Sequence, residues 1–233
     1  MTKAIILAAG MGTRLRPLTE STHKSLLTIN NQPFLERSID FLLQQDVEEI
    51  VIVTGYLKEQ FNYLLQKYKE VKIVNNEYFD KYNNVYSLYL VRGYLGDCFI
   101  LEGDLYLHQS IFQINNQTRS NYYVKQITTD KQEWIVDCDE QEKIVNIRVD
   151  GVESSDFISA GITYLSDADG AIIENALSQL NFEQDAKNLY WDEILIENLH
   201  HLQIYAAKIP EGTVFEIDDV QDYDSLKQQF NKS

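Results

Sequence analysis

KAIILAAGMGTRLRPLTESTHK, residues 3–24, passes from a short apolar run into glycines and then into cations. The run Ala4–Ala8 has the length of one buried strand and is too short to span a membrane. At Ala9-Gly10-Met11-Gly12-Thr13, two glycines let backbone N–H groups turn toward a ligand with no Cβ in the way. Arg14, Arg16 and Lys24 follow. A strand ending in a glycine turn backed by fixed cations is suited to holding phosphate groups. Two other phosphate patterns are excluded. The dinucleotide fingerprint needs a third glycine where this chain has Leu15, and no Gly-Lys-Ser/Thr of a Walker A loop is present. An ordinary strand–helix turn with surface cations is the plain alternative.

The chain has 233 residues, 44% of them hydrophobic, enough for one large domain or one domain carrying a sub-sheet. Its net charge of −16 argues against broad contact with a nucleic acid backbone. Within residues 1–24, however, Lys3, Arg14, Arg16 and Lys24 stand against Glu20 alone. That clustering fits a small polyanion as ligand; chance clustering on a soluble acidic surface is the alternative. No window reads as a signal peptide or spanning helix, and two distant cysteines, Cys98 and Cys138, do not make a disulfide framework. A reducing, cytoplasmic setting without a membrane partner is expected.

Moving outward, apolar spacing predicts a helix through Leu35, Ile39, Leu42 and Leu43, a strand over 49–54, a helical stripe from Leu57 to Tyr68, and a strand over 72–75. A helix follows Asn83-Asn84, and Cys98–Glu102 is a fourth strand ending at Gly103-Asp104. Strands alternating with helices imply a parallel sheet with helices on both faces, with ligands beyond the carboxyl ends of the strands. After about residue 118 the rhythm changes. Strands over 121–127, 133–137, 143–149 and 158–165 suggest an antiparallel or mixed sub-sheet. Helices through Ile172–Leu180 and Trp191–Leu199, strands over 204–209 and 213–217 and a helix over 220–230 close the chain.

Asp104, after a buried strand and a glycine, is a candidate Mg²⁺ ligand, because that ion takes one or two carboxylates beside phosphate and water. Glu216 and Asp218, two apart on a strand, share a face about 7 Å apart, a placement that asks for a cation. The alternative is an acidic surface strand whose Asp218 or Asp219 caps the next helix. Arg14 and Lys24 are candidate charge stabilisers for a phosphoryl centre. His23 reads as an exposed loop histidine, and His108, His200 and His201 lack metal-ligand spacing. Trp134 follows Glu133, and Tyr190-Trp191 precedes Asp192-Glu193. Aromatic faces beside carboxylates suit a quaternary ammonium group. Trp191 also falls on an apolar stripe with Ile194 and Leu195, which core packing alone explains.

The segments KAIILAAGMGTRLRPLT, GYLKEQF, YNNVYSLYLV, Glu133-Trp134, LYWDEIL and FEIDDVQDY are similar, in order and over nearly the whole chain, to the bacterial CTP:phosphocholine cytidylyltransferases. The glycine loop belongs to the wider nucleotidyltransferase superfamily; NNVYSLY, LYWD and EIDDVQDY are the more discriminating parts. The resemblance implies a single Rossmann-like α/β nucleotidyltransferase domain with a mixed, mainly parallel sheet. Residues to about 118 would bind the nucleotide, and about 119–233 would bind the acceptor and close the fold. It implies Mg²⁺ held by Asp104, Glu216 and Asp218, with Arg14, Lys24 and Asp104 catalytic. By position, Leu7, Ala9, Gly10, Gly12, Thr13, Arg14, Lys24, Asn83 and Ser87 fall on the nucleotide, and Trp134, Tyr190, Trp191 and Asp192 on the acceptor. CTP and phosphocholine are the substrates implied for a monomer or homodimer. Alternatives are another acceptor, such as 2-aminoethylphosphonate, phosphoethanolamine or a sugar 1-phosphate, and a silent nucleotide-sensing domain. Two departures stand out. His23 replaces the superfamily's proline before the lysine, which is expected to loosen the loop. Glycine and leucine flank Asp104.

Overall fold

A computed structural model describes residues 1–112, 119–127, 129, 131–184 and 186–230. Its strands are β1 (Lys3–Ala8), β2 (Thr28–Ile29), β3 (Gln32–Pro33), β4 (Glu49–Thr54), β5 (Val71–Asn75), β6 (Cys98–Glu102), β7 (Leu105–Leu107), β8 (Ser120–Lys125), β9 (Gln132–Cys138), β10 (Ile144–Gly151), β11 (Ile158–Leu165), β12 (Ile204–Lys208) and β13 (Val214–Glu216). The helices are α1 (Phe34–Leu43), α2 (Leu64–Lys67), α3 (Asn84–Leu90), α4 (Asp167–Ser178), α5 (Trp191–Asn198) and α6 (Val220–Phe230). Short 3₁₀ turns at Thr13–Leu15, Leu18–Glu20 and Lys24–Leu26 follow β1.

β1 is the axis of a nine-stranded sheet. It pairs in parallel with β4 and β6, and β4 pairs in parallel with β5. Because side chains alternate along a strand, β1 feeds two cores. Ile5 and Leu7 join Val85 and Leu88 of α3, Ile173 and Leu177 of α4, and Ile194 and Leu195 of α5. Ala4, Ile6 and Ala8 join Leu35, Ile39 and Leu42 of α1, with Leu64 of α2. Both faces of β1 are thus dry, which is why its sequence is a continuous apolar run.

The antiparallel part continues this sheet edge to edge: β11 pairs with β6 on one side and with β8 and β9 on the other. β12 then adds in parallel to β8. A bulge in β11 shifts the register between Ser159 and Thr163, with Gly161 at φ +71°, a backbone conformation that glycine takes without penalty. The expected change of rhythm at residue 118 lies outside the described residues. The stripe predicted from Leu57 to Tyr68 is not one helix. Leu57 adopts φ +50°, a 3₁₀ turn spans Lys58–Phe61, and only Leu64–Lys67 is α-helical. Leu65 therefore points to solvent, 50% exposed, while Phe61 and Leu64 are buried.

A third apolar cluster joins chain positions remote in sequence: Leu15, Leu27, Phe34, Tyr106, Ile217 and Tyr223. It ties the segment after the glycine loop to β7 and to the β13–α6 junction. Burying an aliphatic side chain such as Ile217, 2% exposed, contributes about 1.5–3 kcal/mol.

α4 lies so close to the turn before β6 that a Cβ on Gly170 would sit 2.3 Å from Gly96 N and 2.6 Å from Gly96 Cα. Gly170→Ala is expected to push the helix outward and to lower stability by about 2 kcal/mol, a Tm decrease of roughly 4–8 °C for a domain of this size. An unchanged melting curve would refute this close packing.

Candidate active site

The glycine loop is held open from behind. Gly12, at φ +58°, has its carbonyl occupied by Thr19 Oγ1 (2.8 Å) and Leu15 N (3.0 Å). A Cβ there would lie 3.1 Å from Thr19 Cγ2 and 3.3 Å from Lys24 Cβ. Gly10, by contrast, is exposed, with only Lys24 Cε within 4 Å of where a Cβ would stand. Its backbone is therefore the part of the loop a ligand can approach.

His23 is not the exposed loop residue expected. It is fully buried and does the anchoring work expected of a proline. Its Nδ1 accepts from Ser25 N (3.1 Å), capping the 3₁₀ turn that begins at Lys24. With Nδ1 used as acceptor, Nε2 carries the proton and donates to the Gly10 carbonyl (3.0 Å). Its backbone N–H donates to Gln60 Oε1 (2.9 Å), and its ring stands edge-on to Phe61, 4.8 Å between centroids. The lysine turn and the glycine loop are thereby locked together, not loosened. Burial, and then the Lys24 ammonium, push its pKa down from 6.5 to about 4.

The acidic side is assembled by strand pairing. Gly103 N–H donates to Leu7 O (2.9 Å), and a Cβ on Gly103 would lie 2.7 Å from that oxygen. The glycine flanking Asp104 is thus required by the approach of β6 to β1. β7 pairs antiparallel with β13, which sets Leu105 opposite Glu216. The strand ends at Glu216, so the two acids do not share a strand face as predicted. Buried Ile217 turns the chain, and Asp218 returns to the cleft beside the start of α6, which Asp219 Oδ1 caps by accepting from Asp222 N (3.0 Å).

Asp104, Glu216 and Asp218 each offer an oxygen within 4.8 Å of the others. Lys24 Nζ pairs with Asp104, and Arg14 with Asp218 at 2.5 Å. Desolvation opposes the Lys24 charge, but the charge and hydrogen bond of Asp104, with the charges of Glu102 and Glu216, together hold the ammonium above its usual range. Water reaches Glu216 in the cleft, yet protein surrounds it. Desolvation and the charges of Asp104 and Asp218 push its carboxyl above the usual range. Three hard oxygen donors in mutual repulsion are a donor set that a hard divalent cation with open positions would fit.

The cleft between these elements is lined by Leu7, Ala9, Gly10, Arg14, Lys24, Asn83, Ser87, Asp104, Trp134, Tyr190, Trp191, Asp192, Glu216 and Asp218. Gly12 and Thr13 do not line it; Gly12 supports Lys24 from behind, and Thr13 is exposed. Asn83 caps α3, and buried Ser87 accepts from Asn76 Nδ2 (3.0 Å). At the other end, Trp134 and Tyr190 stand edge to face, 6.2 Å apart. Asp192 accepts from Tyr122 OH (2.7 Å), and burial raises its pKa to about 6. Trp191 is 3% exposed and belongs to the core, presenting only part of its surface to the cleft.

Asn76, Asn84, Glu102 and Thr163 also line the cleft and were not singled out from the sequence; Glu133, noted there as the acid next to Trp134, lines it too. Glu102 has a legible signal in its spacing, two before Asp104 at the end of a buried strand. Thr163 has none: its hydroxyl is buried and without a partner among the described residues.

The pattern that defines the nucleotidyl transferase family matches residues 3–134. The chain belongs to that family. It is 37% identical to a choline-phosphate cytidylyltransferase of Streptococcus pneumoniae over 97% of each chain. It is 35% identical to a 2-aminoethylphosphonate cytidylyltransferase of Lancefieldella rimae, over 94% of this chain and 89% of that one. A solved structure of the S. pneumoniae CTP:phosphocholine cytidylyltransferase superposes with a TM-score of 0.93 over 98% of both chains. As a member of the nucleotidyl transferase family, this mixed α/β chain is an enzyme. Among the described residues, no helix is long and apolar enough to cross a membrane.

A histidine whose pKa drops from 6.5 to about 4 on folding is bound by fewer protons in the native state than in the unfolded state across that window. Its contribution is complete above pH 6.5 and is lost as pH falls toward 4. Going from pH 7 to pH 5 is expected to cost about 2 kcal/mol through His23 alone. His23→Phe should flatten the fall in denaturant-derived stability over this range; equal slopes for the two proteins would contradict the buried neutral ring.

Proposed function

We propose that this protein joins CTP to phosphocholine, giving CDP-choline and pyrophosphate. The reading is carried by one arrangement. A cationic glycine loop and three convergent carboxylates face each other across a cleft whose far end is walled by Trp134 and Tyr190. The full-length likeness to the pneumococcal enzyme supports it.

Gly10 offers backbone N–H to the triphosphate; Arg14 and Lys24 hold its oxygens, Arg14 as a planar fork and Lys24 as a point charge. Leu7, Ala9, Asn83 and Ser87 wall the nucleoside. Gly12 and Thr13 shape the turn that delivers Arg14. Asp104, Glu216 and Asp218 would hold Mg²⁺, which when bound neutralises charge building on the phosphates. Trp134 and Tyr190 face the trimethylammonium group, with Asp192 as the nearby negative charge and Trp191 as the packed base of that wall. An oxygen of the phosphocholine phosphate forms a bond to the α-phosphorus. The bond from α-phosphorus to the bridging oxygen breaks, and pyrophosphate leaves with the electron pair. A phosphomonoester has a second pKa of about 6 and is already largely dianionic at neutral pH. No general base is needed, and the residues act by positioning and charge neutralisation. We place the enzyme in the cytoplasm as a monomer or homodimer. In one domain, residues to about 118 serve mainly the nucleotide and later ones the acceptor.

A second acceptor, 2-aminoethylphosphonate, is favoured by the Lancefieldella likeness and by the carboxylates of Glu133 and Asp192 in the same cleft, which a primary ammonium could use as hydrogen-bond acceptors. Pyrophosphate release should be measured for CTP, UTP, dTTP and ATP, each with phosphocholine, phosphoethanolamine, aminoethylphosphonate and glucose 1-phosphate. The highest kcat/KM is expected for CTP with phosphocholine. A higher value with aminoethylphosphonate would overturn the choline assignment, and no release from any pair would make this a nucleotide-sensing domain. Asp104→Asn should lower turnover by about a hundredfold or more with an unchanged circular dichroism spectrum; near-normal turnover would remove Asp104 from the metal site.

A further inference from the structure

Asn84 and Trp191 are the first residues of α3 and α5. The Asn84 side chain spans the gap between them and the sheet. Its Oδ1 accepts from Trp191 N (2.9 Å), satisfying one of the orphan N–H groups at the start of α5. Its Nδ2 donates to Glu102 Oε1 (3.0 Å). The same glutamate oxygen accepts from the Trp191 indole Nε1 (3.1 Å). Because Trp191 N can only donate and Glu102 here only accepts, the amide orientation is fixed. The three residues therefore close a ring of hydrogen bonds. Asn83 adds two outer stitches, its N–H to Lys187 O (3.2 Å) and its Nδ2 to Asn188 O (3.3 Å).

Each member of the ring sits on an element with a different task. Glu102 ends β6, two residues before Asp104. Asn84 opens the helix that carries Ser87. Trp191 lies between Tyr190 and Asp192 on the acceptor side. We infer that Glu102 is a positioning residue that sets the gap between nucleotide and acceptor by accepting two hydrogen bonds, not through its charge. The inference rests on the cytidylyl-transfer reading. In-line attack requires reacting atoms about 3–3.5 Å apart. Slack of an ångström between α3 and α5 leaves each half-site able to bind its own substrate but spoils their approach. The loss then falls on kcat and not on either KM.

Glu102→Gln keeps a carbonyl oxygen in the ring, Glu102→Leu removes it at similar size, and Asn84→Ala opens the ring from the other side. With CTP and phosphocholine, Glu102→Gln should retain kcat within about threefold. Glu102→Leu and Asn84→Ala should each lose about 10–100-fold in kcat with both KM values within about threefold. The double variant should be no worse than the poorer single one, because either change already opens the ring. Three results would overturn the inference: Glu102→Gln failing as badly as Glu102→Leu; Asn84→Ala and Glu102→Leu losing thermal stability with kcat intact; or a tenfold rise in phosphocholine KM at constant kcat. Should Glu102→Leu not fold, Glu102→Gln and Asn84→Ala still decide the matter. A wild-type protein inert toward CTP with every acceptor overturns the functional reading, and the role of the ring with it, on the wild type alone.

Discussion

The ion pair between Lys24 and Asp104 joins positions 80 residues apart and defines the working end of the molecule. Lys24 arrives on a 3₁₀ turn after β1; Asp104 arrives in the turn that follows β6, the strand beside β1. Both side chains are largely withdrawn from water. A partly buried pair gains little net stability, but losing either member leaves an uncompensated charge. The pair therefore acts as a registration device. It holds the early basic loop against the late acidic cluster before any substrate arrives.

Packing behind the pair keeps it in place. Leu15, Phe34, Tyr106, Ile217 and Tyr223 form one apolar cluster, so the loop after β1 and the turn after β13 cannot move apart without exposing it. The pairing of β7 with β13 then puts Glu216 next to Asp104, and Arg14 reaches Asp218 from the loop side. Two cations flank three carboxylates around the cleft mouth: Arg14, then Asp218, Glu216 and Asp104, then Lys24. Such an arrangement suits a ligand that carries both a polyanion and a bound cation.

Much of this was legible from residue order. The strands over 49–54 and 158–165 and the helix over 220–230 appear with the expected boundaries, because buried runs bounded by turn residues leave few other readings. The glycine loop and the acids were legible because their chemistry needs those residue types at those strand ends. His23 was not, since its burial depends on Gln60 and Phe61, 37 and 38 residues away, closing over it. The partners of Glu102 were not, since they come from Asn84 and Trp191 on two other elements, although its place two residues before Asp104 was a signal. The stripe from Leu57 to Tyr68 misled because Leu57 is left-handed and Lys58–Phe61 winds as a 3₁₀ turn before the helix at Leu64–Lys67. In each case the deciding contact is non-local or lies in local backbone angles, and a periodicity carries neither.

The central claim is that cations and carboxylates meet at one mouth to share a metal-bound triphosphate. Calorimetric binding of CTP, with Mg²⁺ and with EDTA, tests it most directly. The account predicts that CTP binds at least about tenfold more tightly with Mg²⁺, because three carboxylates otherwise repel its phosphates. Equal affinity under the two conditions would contradict it.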